Sequence, residues 1–176
     1  MRRDAKRHLI TLAIYFSTRG SSFVLFEGTL SPYDWGIFEV RGPGKEAKYQ
    51  RKIRQLLDQY EIDVLVLQDT SPEGTHRATR LITLNAGVEA AAQHHGIPVF
   101  KYSRDDVYAT FASAGFSNKQ TLAEVIAKHI PAFARHVPPP RKPWKSEDAR
   151  MGLFDAAALA LVFFQKAGTG HRATVK

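Results

Sequence analysis

The sequence predicts an α/β domain built on a five-stranded mixed sheet in the order three-two-one-four-five, with helices on both faces. Three observations predict it. Three strand-like segments open the chain, joined by short turns. A helical repeat follows, and after it a run of apolar residues without alternation, 62–68. Helix and strand patterns then alternate through the rest of the chain.

Residues 9–16 are mostly apolar with β-branched members, as in a buried strand. Thr18-Arg19-Gly20-Ser21 reads as a turn in which Gly20 is free to take positive φ. Strands are expected at 23–27 and 35–41, completing an antiparallel meander that Gly42-Pro43-Gly44 ends. In 45–60, Tyr49, Ile53, Leu56, Leu57 and Tyr60 recur at helical spacing. Val64-Leu65-Val66-Leu67 has the continuous apolar character of a parallel strand covered on both faces.

A second long helix is expected at 77–95, with Leu81, Leu84, Val88 and Ala91 on one stripe and Gly96 past its end. A short strand follows at 97–102. Ser103 with Asp106, and Ser117 with Gln120, have capping-box spacing and announce two more helices. Pro131 ends the second of these, and 137–143 is a stiff basic loop. Ser146 is expected to cap a last helix over 147–165. The expected organisation is a basic arm (1–8), one domain (9–165) and a disordered basic tail (166–176).

Composition narrows the function. The 176 residues include no cysteine, which excludes disulfides, thiolate catalysis and zinc–cysteine sites and fits a cytoplasmic protein. Arg2, Arg3, Lys6 and Arg7 before an apolar run imitate a secretory signal, but where a cleavage site is needed the chain offers Ser17-Thr18-Arg19-Gly20 and then another strand-like run, so no signal is expected. Residues 156–164 are apolar but short, so a buried helix and no membrane span is expected. Glycine-rich phosphate loops of the GxxxxGK[ST] and GxGxxG kinds are absent. His94-His95 closes a helix, where a cation is favourable, and needs no metal to explain it.

The formal net charge is +8. Such a surplus favours polyanions, nucleic acid first. Arg19, Lys48, Arg51, Arg141, Lys142 and Lys145 are the candidate phosphate-binding residues. Trp144 lies among the last three, where an aromatic ring either stacks on a base or pins the proline loop to the domain.

Ligand sites in such sheets sit at the carboxyl ends of the parallel strands, here near Tyr15, near Gln68 and Asp69, and near Tyr102. Three segments carry a resemblance. They are Leu12-Ala13-Ile14-Tyr15-Phe16-Ser17-Thr18-Arg19, Ile62-Asp63-Val64-Leu65-Val66-Leu67-Gln68, and Gly152-Leu153-Phe154-Asp155-Ala156-Ala157-Ala158-Leu159. With the element order, they resemble the opening strand, central strand and last helix of the RuvC family of Holliday-junction resolvases, which have the RNase H-like fold. The resemblance spans roughly residues 9–164. It implies a DNA partner, a homodimer, and a carboxylate cluster holding two magnesium or manganese ions about 4 Å apart.

Carried over residue by residue, the family's carboxylates fall on Tyr15, Gln68, Gly152 and Asp155, of which only Asp155 keeps an acid. A phenol and a carboxamide bring no charge at neutral pH. Asp69, Glu73 and Asp148, the last two helical turns before Asp155, would with Asp155 make a displaced catalytic and metal site. Alternatively, Asp69 and Glu73 are ordinary loop acids and Asp148 a helix-dipole partner. Asp155 sits in an apolar run and must pair, bind metal or face a cleft. A hydrogen bond to Tyr15 or Gln68 is the neutral option. Three readings follow: a DNA-binding protein with nuclease activity lost or much reduced, an active metal-dependent endonuclease with a displaced site, and a non-catalytic protein-interaction module.

Overall fold

The computed structural model describes residues 8–70 and 79–172. The five strands are β1 (Ile10–Phe16), β2 (Ser21–Glu27), β3 (Pro32–Phe38), β4 (Val64–Gln68) and β5 (Val99–Tyr102). They form one sheet in the order β3-β2-β1-β4-β5. The first three are antiparallel, and β4 and β5 run parallel to β1. The helices are α1 (Lys45–Gln59), α2 (Thr79–His94), α3 (Arg104–Phe111), α4 (Lys119–His129) and α5 (Met151–Arg172).

Side-chain alternation divides the core. Leu12, Ile14, Phe16, Leu65 and Leu67 face α1 and α2. Ala13, Tyr15, Val64 and Val66 face the layer of α3, α4 and α5. Both faces of β1 and β4 are therefore buried, as an unalternating apolar run requires. Ala156, Ala157, Ala158 and Ala160 are buried, and their small side chains let α5 lie close on the sheet. Over Met151–Gly168 α5 is long and apolar enough to cross a membrane, which the short apolar run 156–164 did not suggest, but most of that stretch is buried in the domain.

Several boundaries differ from the expected ones. The third strand is Pro32–Phe38 and not 35–41. An edge strand tolerates proline at its first position. Gly20 does not take positive φ. A side chain there would collide with the Phe38 carbonyl, so close approach is what requires glycine. Asn118, not Ser117, caps α4, accepting from the Thr121 amide at 3.0 Å. Pro131 opens a 3-10 turn, Pro131–His136, that buries Phe133.

The last helix starts at Met151 and not at 147. Asp148 and Arg150 pair locally just before it, through Arg150 Nε at 2.9 Å and Nη2 at 2.7 Å. Asp148 therefore precedes the helix, in the turn that leads into it, and is not on α5. At its far end α5 continues to Arg172, through part of the tail expected to be disordered. The basic arm at 1–7, Glu73 and the last four residues lie outside the described residues.

Candidate functional site

The three parallel strands end side by side. Ile14 pairs with Leu67 and Gln68 with Tyr102, so Tyr15, Gln68 and Tyr102 form a row at the carboxyl edge. Tyr15 faces the layer that contains α5, and α5 brings Asp155 to the same cleft. Ser103, Arg104, Tyr108, Phe116 and Lys119 close it from α3, α4 and the residues just before each.

Lys119 lines the cleft, and the sequence did not single it out. Its ammonium donates to Asp155 Oδ2 at 3.1 Å. It also lies 3.1 Å from Glu147 Oε1 and 5.7 Å from the centre of the Tyr15 ring. Asp155 is only 12% exposed. Burial works against the Lys119 ammonium, but its neighbours, Asp155 first, then Tyr15 and Glu147, outweigh it and hold its pKa above the usual lysine value. Burial pushes the Asp155 carboxyl up, and Lys119 opposes that push. The two directions compete, and the geometry favours an ionised pair because one ammonium serves both carboxylates.

Gly152 packs against β2, where a Cβ would sit 2.5 Å from Ser22 Oγ, so any side chain there must displace that hydroxyl. Asp69 is half-buried just past β4, and its amide donates to the Tyr102 carbonyl at 2.8 Å. Asp148 is held by Arg150, which keeps its carboxyl below the usual range. Among the described residues no three acidic or histidine side chains converge as metal ligands. Tyr15 and Gln68 bring no anionic oxygen, and Asp155 and Glu147 are bound by an ammonium. This donor set does not fit magnesium or manganese.

A wider groove of about 1100 Å³ opens from the same edge. Its cations are Arg19, Arg104, Lys119, Arg141, Lys142 and Lys145, against the acids Glu39, Glu147 and Asp148. Two of those acids are already paired, with Lys119 and Arg150. Arg19 anchors one wall by donating to the Glu147 carbonyl at 3.4 Å. Lys48 and Arg51, also expected at the interface, are exposed on α1, which covers the opposite face of the sheet. Trp144 is 78% exposed, so it does not pin its loop; Val137 and the buried Pro138 do that.

With this geometry in hand, comparison with solved structures is informative. RuvC of Thermus thermophilus matches with a TM-score of 0.68 at 17% identity, covering 92% of this chain and 97% of that one. The chain has the RuvC fold. The T. thermophilus RuvC in complex with its Holliday junction substrate matches with a TM-score of 0.66, also at 17% identity, over 92% and 98% of the two chains. The yeast mitochondrial Holliday junction resolvase Ydc2 matches at 0.60 and 13% identity, over 92% of this chain and 81% of that one. No family model and no curated protein matches the sequence. On the RuvC fold, the strand ends and the start of α5 are where the resemblance places the carboxylates. Here Lys119 occupies that cleft.

Could the sequence have pointed to Lys119? It is the first residue of α4, directly after the Asn118 cap. A cation in the first turn opposes the helix dipole, so a lysine there asks for a compensating anion. That signal was present and weak. Arg104, Tyr108 and Phe116 gave no sequence signal of a site.

Proposed function

We propose that this protein binds DNA, branched or duplex, along the basic groove, and that its metal-dependent nuclease activity is lost or much reduced. One observation carries the reading: an internal ammonium, Lys119, satisfies the carboxylates that a divalent ion would need. Nucleic-acid binding is supported by the fold shared with junction resolvases and by the cations that line the groove beside the cleft. A displaced nuclease site has less support, because Asp148 is engaged by Arg150 and precedes α5. Among the described residues, no feature favours the protein-interaction module over a DNA binder.

The reading includes a cytoplasmic homodimer. Leu81, Leu84, Val88 and Ala92 of α2 pack on the sheet, and Gly87 abuts Gln50 of α1. Ile82, Ala86 and Ala90 stay exposed on the outer face, where a second copy would pack. The function is tested by mobility shift with junction, duplex and single-stranded DNA at low and moderate salt. Binding that weakens steeply with salt supports it; no binding even at low salt ends it.

A further inference from the structure

We infer that Trp144 is a stacking platform for an unpaired nucleobase, so that the groove prefers DNA with bases out of the duplex. The inference rests on the DNA-binding reading above and adds the kind of DNA recognised.

The loop holds the indole out on a defined turn. Lys142-Pro143-Trp144-Lys145 is closed by the Lys145 amide donating to the Lys142 carbonyl at 3.0 Å. Pro143 stands at the second position, where its fixed φ suits the turn, and Trp144 stands at the third. The base of the loop is tied to the domain. Gln120 Nε2 donates to the Pro138 carbonyl at 2.9 Å, and the Pro138-Pro139-Pro140 run stiffens the stem that leads to the turn. An exposed tryptophan on a preorganised turn loses little entropy when it binds.

The surroundings select the occupant. Trp144 is 78% exposed, far more than any other large apolar side chain described. Arg141, Lys142 and Lys145 flank it and line the groove. The Lys142 ammonium lies 5.6 Å from the centre of the ring. An apolar partner would have to desolvate these cations, whereas a nucleotide brings a π-face for the indole and a phosphate for the lysines. Bases inside a duplex show only edges, so the ring needs an unpaired one.

The chain has two tryptophans, which makes a direct test available. Trp35 is half-buried and packed against Phe133 and His136, so DNA should leave its emission largely unchanged. Emission and affinity are measured together with a single strand, a four-way junction and a blunt duplex of matched length. Quenching is expected with the strand, and with a junction designed to leave bases unpaired at its crossover, but not with the duplex. Trp144→Ala should remove it and weaken those two complexes about tenfold, leaving duplex affinity unchanged, while Trp144→Tyr should retain most of the binding. Unchanged affinities in Trp144→Ala, or equal quenching by the duplex, would overturn stacking while leaving DNA binding in place. Absence of any binding would overturn both readings.

Discussion

The Lys119 ammonium lies 3.1 Å from the Asp155 carboxylate, a contact between residues 36 apart in the chain. It joins the start of α4 to the first turns of α5 across the carboxyl edge of the sheet. In this position a lysine side chain supplies a positive charge to the buried carboxylate. Removing it leaves Asp155 buried without its partner. Lys119→Met should therefore cost roughly 3 kcal/mol in urea denaturation. Adding Asp155→Asn should recover part of that loss, because the orphaned charge goes with it. Additive losses in the double variant would show that the two side chains are not coupled.

The groove makes a different kind of demand. Arg19→Ala and Lys145→Ala should each weaken DNA binding similarly for all sequences and lower the salt dependence by about one phosphate contact. Lys48→Ala and Arg51→Ala, on the far side of the sheet, should leave both unchanged. Mobility shifts across a salt series distinguish the two sets.

A third expectation concerns pH. Ser103 and Asp106 form a reciprocal capping box, with the Ser103 amide donating to Asp106 at 2.8 Å and the Asp106 amide donating to Ser103 Oγ at 3.1 Å. Lys166 of α5 donates to the same carboxylate at 2.9 Å. The Ser103 amide, then Lys166, hold the Asp106 pKa below its usual value. Its stabilising contribution is therefore complete above about pH 4 and is lost as pH falls through the lowered folded value. Asp106→Asn should flatten that part of the acid limb, and Ser103→Ala should cost about 1 kcal/mol at neutral pH. Denaturation midpoints between pH 2 and 7 check both.

Self-association is read from scattering. A dimeric mass at micromolar concentration that Ala86→Glu reduces to a monomer is the expected outcome. A strict monomer at high micromolar concentration ends the dimer proposal.

The frame of the molecule was legible in the sequence because its signals are local. The apolar runs of β1 and β2, the unbroken run in β4 and the stripe on α1 each report burial within a few residues. From them the strand order and the row of Tyr15, Gln68 and Tyr102 follow. Boundaries failed where one side chain outweighed the local pattern. Asp148 bonds to Arg150, and regular helix begins only at Met151. The occupant of the cleft was hidden for a different reason. Lys119 meets Asp155 only after α4 packs on α5, and a lysine in a helical repeat otherwise reads as a solvated surface residue. Trp144 was visible but ambiguous, and only its exposure shows that it does not pin the loop.

The most direct test of the account is a four-way junction incubated with the protein and with magnesium or manganese, under conditions where a mobility shift shows the complex formed. We expect the complex to form and the strands to remain intact with either metal. Robust metal-dependent cleavage that Asp155→Asn abolishes would contradict the account, because it would show that a divalent ion displaces Lys119 and that the cleft still works as a nuclease.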